Sequence, residues 1–124
     1  MRRIILSRKG FDSKFGGRAS PIFKDNRIFS IPIPQSTESP TKYKDLLLNE
    51  ISGSTALKES SVKQVTKNDY CHYDPILNED FGIFGQANSS QTELKNCGVG
   101  IGDLFLFFGW FKQFSSTGRD LHHI

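Results

Sequence analysis

The chain has 124 residues, of which 36% are hydrophobic and 23% are charged, and this composition is typical of a globular protein rather than a disordered one. No apolar run approaches the roughly 20 residues that a membrane-spanning helix needs, so we expect a soluble protein. The length corresponds to one domain, and we expect a single domain over residues 1–124.

The net charge of +3 hides an uneven distribution of charged side chains. Residues 1–27 carry eight basic and two acidic side chains, whereas the rest of the chain carries eight basic and 11 acidic ones. A basic segment of this kind attracts polyanions, or it forms a solvated face. Neither a Walker loop nor a dinucleotide-binding fingerprint accompanies it. If the segment binds a polyanion, we expect DNA or a nucleotide as the partner; the solvated face stays the alternative, and no membrane partner is expected.

The two cysteines, Cys71 and Cys97, predict reduced thiols in a cytoplasmic protein. The basic pair Arg2-Arg3 is followed by only three apolar residues, which is too few for the apolar part of a secretory signal. A disulfide is therefore disfavoured, and Cys97 is expected to be a buried thiol.

In chain order, the first predicted elements are a strand, a loop and a hairpin. The strand covers residues 3–7, and a glycine-rich loop follows over residues 8–17. Residues 21–23 and 27–31 are expected to pair as a hairpin around a polar turn.

Prolines come next, and a helical pattern follows them. Three prolines within residues 32–40 exclude a central strand or a helix interior, so this stretch is expected to be a surface linker. Apolar side chains at positions 43, 47 and 51 predict a helix near residues 42–51. The serine-rich stretch over residues 52–65 is compatible with a loop or with a second short helix.

The second half predicts a helix, a glycine turn and a central strand. A Ser-Gln-Thr-Glu capping box begins a predicted helix over residues 90–97, which Gly98 ends. Asp103 suits a tight turn before the aromatic strand over residues 104–111, which we expect to be buried at the centre of the fold. Residues 121–124 begin a further strand that is cut short, so we expect a naturally short form or a truncated relative of a longer protein. An open edge there would favour self-association.

These elements predict an α+β domain with a mixed or antiparallel sheet, partly barrel-like, and with two or three short helices. A Gly-Asp turn into an apolar strand, followed by a turn and a returning strand, is similar to the small β-barrels of the PUA, ASCH and EVE kind. Those barrels bind nucleic acids or modified bases, and a likeness of this sort does not by itself establish function.

The segment Cys71-His72-Tyr73-Asp74-Pro75 is the strongest candidate for a chemical site. In an extended segment His72 and Asp74 share one face, whereas Cys71 and Tyr73 share the other, which disfavours a chelate of Cys71 with His72. An imidazole oriented by a carboxylate suits general acid–base catalysis, so His72 and Asp74 are the candidate catalytic pair. The alternative is a structural hydrogen bond that caps a turn.

The last strand repeats this spacing in Asp120 and His122, with His123 on the opposite side. If this strand lay beside the segment above, then His72, Asp74 and His122 would form a set suited to Fe(II) or another divalent ion. The alternative is that both histidines of the strand face solvent, and the sequence identifies no cofactor.

The first loop supplies candidate contacts to a phosphate group. Arg8 and Lys9 are suited to hold it through their charges, together with Ser13 and the loop backbone. Asp12 is suited to position a base or a ribose, and its alternative role is to close an Asx-turn.

Other side chains are suited to contact a base. The amides of Gln86 and Gln91 can read a base edge by paired hydrogen bonds, although Gln91 also fits an exposed helix position. Trp110 and Tyr73 can stack on a base or pack in the core.

Several separate segments, taken in order, resemble the nucleotide modification associated domain 3 family. They are Ile4-Ile5-Leu6-Ser7-Arg8-Lys9-Gly10-Phe11-Asp12-Ser13, Ser20-Pro21-Ile22, Ser30-Ile31-Pro32-Ile33-Pro34, Cys71-His72-Tyr73-Asp74-Pro75, Phe84-Gly85-Gln86-Ala87, Gly98 to Phe111, and Asp120-Leu121-His122-His123-Ile124. The resemblance runs from end to end, and because family members are typically longer, the chain resembles the N-terminal part of the family pattern. It implies an intracellular bacterial or phage protein among systems that handle modified bases in DNA, and it implies no catalytic residues.

We therefore predict a cytoplasmic protein that binds a nucleotide or a modified base and assists in its modification. The first loop would hold phosphate, and residues 71–74 would face the base. One alternative is a metal- or histidine-dependent enzyme that acts on a nucleotide substrate through His72, Asp74 and His122. Another is a truncated interaction fragment without activity.

Overall fold

A computed structural model describes residues 2–72, 76–77, 82–83, 95–96, 98–115 and 121–123. Its strands are β1 (Ile4–Arg8), β2 (Ser20–Pro21), β3 (Leu47–Leu48), β4 (Ile51–Ser52), β5 (Ile76–Leu77), β6 (Gly82–Ile83), β7 (Leu104–Lys112) and β8 (Leu121–His123). A 3-10 helix covers Tyr43–Asp45, and the α-helix α1 covers Gly53–Glu59. Within these described ranges, no helix has the length and apolar character to cross a membrane.

The nine-residue strand β7 organises the largest sheet. Strands β1 and β2 pair with it in parallel, and β8 pairs with it in the antiparallel direction. The register places Ile4 opposite Leu104 and Arg8 opposite Phe108. The predicted mixed sheet and the central position of β7 are therefore confirmed. In the described part of the chain no sheet closes into a barrel, so the barrel likeness is not confirmed.

Strand β7 is less buried than its aromatic sequence predicts. Within it only Gly109 and Phe111 are buried. On the paired strand, Ile4 and Leu6 are 64% and 62% exposed, and register neighbours share a face, so Leu104 lies on the same exposed face as Ile4. The prediction of a buried strand is therefore wrong for most of β7, because the core cluster is formed by other residues, all within 11–71.

The hydrophobic core comes from a continuous part of the chain, residues 11–71. Its buried members are Phe11, Phe29, Ile31, Tyr43, Ile51, Ala56, Leu57 and Cys71. The rings of Phe11 and Tyr43 meet edge to face with their centroids 6.2 Å apart. The Tyr43 hydroxyl donates a hydrogen bond to the Pro32 carbonyl at 2.8 Å, which satisfies its polar end inside the core.

The predicted helix over residues 42–51 is wrong, because only one 3-10 turn forms and the chain then makes the β3–β4 hairpin. The two loop residues, Asn49 and Glu50, have φ values of 50° and 64°, which suit a tight hairpin turn and break a helix. The Arg27 guanidinium donates to the Asn49 carbonyl at 2.8 Å, and the Asn49 amide donates to the Ile28 carbonyl at 3.1 Å. These tertiary hydrogen bonds favour the hairpin over the helical propensity of the segment.

The serine-rich stretch forms helix α1, which agrees with the second of its two predicted states. Ser52 caps the first turn with its side chain. At the other end the Ser61 N–H donates to the Lys58 carbonyl at 3.0 Å, and the Val62 N–H donates to the Leu57 carbonyl at 3.1 Å. This is a Schellman motif, in which Ser61, with a φ of 52°, occupies the position where glycine is usual.

The predicted hairpin over residues 21–31 forms, but its strands are shorter than expected. Ile22 and Ile28 make a single antiparallel bridge, and the Phe23 N–H donates to the Arg27 carbonyl at 2.8 Å. The prolines explain why no helix or strand follows over residues 32–40.

Two residues of the predicted helix over residues 90–97 are described, and both Lys95 and Asn96 are helical. Gly98 follows with a φ of 72°, and its N–H donates to the Lys95 carbonyl at 3.0 Å. Gly98 therefore ends a helical turn as predicted, and the rest of the predicted helix lies outside the described residues.

Candidate functional site

The first loop is folded around the carboxylate of Asp12. This group accepts hydrogen bonds from the Lys14 N–H at 2.9 Å and the Phe15 N–H at 2.6 Å. The Arg8 guanidinium lies 3.9 Å from its second oxygen. Asp12 thus closes the turn, which is the alternative role that the sequence suggested for it. Ser13 is exposed at the same turn.

The two cations at the end of β1 differ in environment. The Arg8 side chain is 52% exposed, and its guanidinium carbon lies 5.6 Å from the centre of the Phe108 ring. Lys9 is partly buried, and burial lowers the pKa of its ammonium group. Because Arg8 is the more exposed of the two cations, it is the better placed to meet a phosphate.

Cations lie against aromatic rings at four points, between the segment that joins β1 to β2 and the segment from the second half of β7 to Phe114. The pairs are Arg8 with Phe108 at 5.6 Å, Lys14 with Phe15 at 5.4 Å, Arg18 with Phe114 at 5.1 Å, and Lys112 with Phe114 at 5.7 Å. A fifth such contact, between Lys42 and Tyr70 at 5.2 Å, lies elsewhere in the chain. The four contacts above share one region and form a cluster of four cations and three aromatic rings, because Arg18 and Lys112 lie against the same ring. We call these seven side chains the basic–aromatic surface.

Strand pairing brings the two segments of the basic–aromatic surface together. The first loop joins β1 to β2, and both strands pair with β7, at Phe108 and at Lys112 respectively. The loop between them therefore runs beside this half of β7. The basic N-terminal segment and the aromatic strand, which lie far apart in the sequence, meet there.

The Cys71-His72 segment is held in place by backbone hydrogen bonds. The Cys71 N–H donates to the Thr41 carbonyl at 3.1 Å, and the His72 N–H donates to the Ile33 carbonyl at 3.0 Å. Cys71 is fully buried, whereas His72 is partly exposed, so the two side chains lie in different environments, as their alternate spacing predicted. Burial raises the pKa of the Cys71 thiol to about 11, so the thiol is neutral at physiological pH and a poor nucleophile.

Several predicted site residues lie outside the described residues. They are Asp74, Gln86 and Gln91, together with Tyr73, Cys97, Asp120 and the side chains of His122 and His123. The catalytic pair of His72 with Asp74 and the metal set that adds His122 therefore stay predictions. Among the residues that the structure describes, no group of three or more His, Cys, Asp or Glu side chains is placed to hold a metal ion.

Asp103 joins the start of β7 to the start of β1. Its carboxylate accepts hydrogen bonds from the Arg3 N–H at 3.0 Å and the Gly100 N–H at 2.9 Å. The hydrogen bond from Gly100, followed by that from Arg3, lowers the pKa of this carboxyl. Asp103 therefore closes the turn as predicted, and it also aligns the two parallel strands.

A second group of basic residues was not singled out from the sequence. Lys58, Lys63 and Lys67 line a cavity of about 430 Å³ at the C-terminal end of α1. Arg18 and Lys63 line a neighbouring cavity of about 340 Å³. The recurrence of lysine at positions 58, 63 and 67 in a serine-rich stretch was the available signal, but it does not predict that Arg18 joins them.

Comparison with known proteins identifies one family. The model of the nucleotide modification associated domain 3 family matches residues 3–124 of this chain. No curated protein and no solved structure matches it. The name of the family suggests a role linked to nucleotide modification. Because the match covers essentially the whole sequence, the chain belongs to the nucleotide modification associated domain 3 family.

Proposed function

We propose that this chain binds a single strand of nucleic acid, in a role linked to nucleotide modification, and that the basic–aromatic surface contacts the strand. The observation that carries the proposal is the fourfold repetition of a cation beside an aromatic ring, between the segment that joins β1 to β2 and the segment from the second half of β7 to Phe114.

The chemistry of a single strand suits this surface. A strand presents charged phosphates at regular intervals and bases with flat, unpaired faces. Lysine and arginine neutralise the phosphates, while aromatic rings stack on bases of any sequence. Phe15 is 41% exposed, and the Arg8 side chain is 52% exposed, so both are accessible to a ligand.

The test is fluorescence anisotropy of labelled single-stranded DNA and RNA, titrated with the chain at several salt concentrations. We expect affinity to fall steeply as salt rises, because bound strands release counterions. The double variant Arg8→Gln with Lys14→Gln should bind more weakly. Its log–log salt slope should be shallower by about 1.4, since each lost phosphate contact on a single strand contributes about 0.7.

A matched control variant removes two positive charges outside the basic–aromatic surface. Lys24 and Lys44 are exposed and lie in other turns of the chain, so Lys24→Gln with Lys44→Gln should keep nearly the parent slope. Equal loss in the two double variants would show only a response to net charge, and salt-independent or absent binding would contradict the proposal.

A base-modified strand extends the same titration. The family name links the chain to nucleotide modification, so the panel pairs each natural DNA strand with a copy that carries one modified base. Tighter binding of the modified copy would make the chain a reader of that base. Equal binding would limit its contribution to holding the strand.

A further inference from the structure

We propose that the cavity between the first loop and the C-terminal end of α1 binds a phosphate group. Its lining consists of Gly16, Gly17, Arg18, Ser61, Lys63 and Gln64, and its volume is about 340 Å³. The cavity adjoins the basic–aromatic surface, because Arg18 belongs to both. The phosphate comes either from the terminal monoester of a nucleotide or from the diester of a strand. The inference rests on the proposed function only for the choice between these two sources.

Arg18 is held in position before any ligand arrives. Its Nε–H donates to the Ser60 carbonyl at 2.9 Å, and its guanidinium carbon lies 5.1 Å from the centre of the Phe114 ring. The first contact places a cation on the carbonyl end of α1, which is the end of a helix that favours positive charge. Its two terminal NH₂ groups make no hydrogen bond to the part of the chain that the structure describes. A guanidinium fixed in this way suits the planar recognition of phosphate at a reduced entropic cost.

The side chains around the cavity supply positive charge, which offsets the unfavourable effect of the carbonyl end of α1 on an anion. Lys63 and Ser61 line both this cavity and its larger neighbour, and Lys58 and Lys67 line the neighbour. Among the described residues no aspartate or glutamate lines either cavity. A leucine and two valines also line the larger cavity, and an apolar wall of this kind suits a base attached to the phosphate.

Ser61 is a further polar residue of the lining, and its backbone conformation is unusual for serine. Its φ of 52° is left-handed, and at this position of a Schellman motif glycine is usual because a Cβ makes the conformation unfavourable. Ser61 lines both cavities, and its hydroxyl is a group that can donate a hydrogen bond to phosphate.

The opposite wall contains Gly17, whose φ of 69° is a left-handed conformation that favours glycine. A Cβ on Gly17 would lie 2.5 Å from the Gln64 amide nitrogen, which is the end of an exposed and flexible side chain that can move aside. The backbone conformation, rather than this contact, therefore favours glycine at position 17.

The test is isothermal titration calorimetry of the full chain at low salt with thymidine 5′-monophosphate, and with thymidine as the ligand that lacks phosphate. We expect the monophosphate to bind at least tenfold more tightly than thymidine. Lys63→Gln should weaken its binding three- to tenfold, and Arg18→Gln should weaken it tenfold or more. Lys24→Gln, a charge change outside both cavities, should leave the affinity unchanged.

Two variants of Ser61 separate the hydroxyl from the backbone strain. Ser61→Ala and Ser61→Gly both remove the hydroxyl, so both should weaken binding of the monophosphate three- to tenfold. Only Ser61→Gly relieves the left-handed conformation, and it should raise the midpoint of thermal unfolding by about 2–4 °C. Parent affinity in both serine variants and in Lys63→Gln would overturn the proposal, even if Arg18→Gln fails to fold.

Oligothymidylate with a 5′-phosphate or a 5′-hydroxyl distinguishes the two sources. Tighter binding of the phosphorylated strand, lost in the cavity variants, assigns the site to a terminal monoester. Equal binding of the two strands, weakened equally in those variants, assigns it to a diester. Strand binding that persists in all cavity variants, without binding of the monophosphate, overturns the cavity but leaves the proposed function intact. Binding of the monophosphate without any strand binding supports the cavity and contradicts the proposed function.

Discussion

At the scale of single residues, the core holds two groups that ionise only at high pH. Burial raises the pKa of the Cys71 thiol to about 11, and burial also raises the pKa of the Tyr43 phenol. In the unfolded chain a thiol ionises near pH 8.5 and a phenol near pH 10. The unfolded state therefore loses protons at a lower pH than the folded state does.

We expect the free energy of unfolding to fall as pH rises above 9. The stabilisation from the neutral thiol is fully present below the unfolded pKa, and it is lost as pH approaches 11, because only the unfolded chain gains from ionisation there. A shift of this size corresponds to about 3 kcal/mol. Urea unfolding at a series of pH values from 7 to 11 measures it.

The variant Cys71→Ala isolates the contribution of the thiol. It removes the titrating group, so its stability should fall less steeply than that of the parent between pH 9 and 11. Tyr43→Phe is the complementary variant, and at pH 7 it should cost about 1 kcal/mol because the Pro32 carbonyl loses its hydrogen bond. Parallel stability curves for the parent and Cys71→Ala would contradict the assignment.

Ser61 shows which property of a site residue the sequence does not reveal. A serine at the end of a serine-rich stretch carries no local mark, and its left-handed φ follows only from where α1 ends. Asp12 shows the opposite case. It accepts hydrogen bonds from N–H groups only two and three residues later in the chain, and such a turn is a local pattern that the sequence reveals. Residue roles fixed by near neighbours could be predicted, and roles fixed by distant ones could not.

At the scale of elements, the loop of the β3–β4 hairpin contains a residue in an unfavourable backbone conformation that a substitution can relieve. Glu50 has a φ of 64° at the second loop position, where glycine is favoured. We expect Glu50→Gly to raise the free energy of unfolding by about 0.5–1 kcal/mol, because glycine adopts this conformation without a steric penalty. Denaturant unfolding at pH 7 measures the change.

Glu50→Ala is the control for that substitution. It removes the same carboxylate but keeps a Cβ in the left-handed conformation, so its stability should stay close to that of the parent. If alanine stabilised the chain as much as glycine does, charge rather than backbone strain would be the cause.

The same hairpin explains the failed helix prediction over residues 42–51. Apolar spacing at positions 43, 47 and 51 fits a helix, yet Leu47 and Leu48 are exposed in β3 at 69% and 45%. The hydrogen bonds of Asn49 to the turn that contains Arg27 depend on contacts across more than twenty residues. Strand β7 could be predicted, in contrast, because its turn and its aromatic run are adjacent in the sequence.

At the scale of the whole molecule, the core and the largest sheet are built from different parts of the chain. Residues 11–71 supply the core cluster, whereas the pairing of β1 with β7 leaves Ile4 and Leu6 largely exposed. Regions with few buried apolar contacts open more readily than the core. The two parts are therefore expected to differ in local stability.

We expect amide hydrogen exchange to be slower in the core than in the exposed part of the sheet. The N–H groups of Phe29, Tyr43 and Cys71, which all donate to backbone carbonyls, should exchange slowest. The amides of Leu6 and Leu106 should exchange faster, through partial opening of β1 from β7. Two-dimensional NMR of the exchanging chain resolves these sites. Equal protection in both regions would indicate that the molecule opens as one unit.

The proposed phosphate cavity is formed by segments that lie far apart in the sequence. For this reason it could not be predicted from the sequence. The hydrogen bond from Arg18 to Ser60 spans 42 residues, and no spacing rule connects two segments so far apart. The N-terminal surplus of positive charge could be read from the sequence, but its junction with the lysines after α1 could not.

The parallel pairing of β1 with β7 has a consequence for how the protein is made. The Arg3 N–H donates to Asp103, one hundred residues later in the chain. At about 5–20 residues per second, a ribosome takes roughly 5–20 s to synthesise that distance. Throughout this interval Ile4, Ile5 and Leu6 lack the strand that will pair with them. Once β1 has left the ribosome, a nascent chain of this protein therefore presents an unpaired apolar strand to chaperones and to other nascent chains until β7 is available.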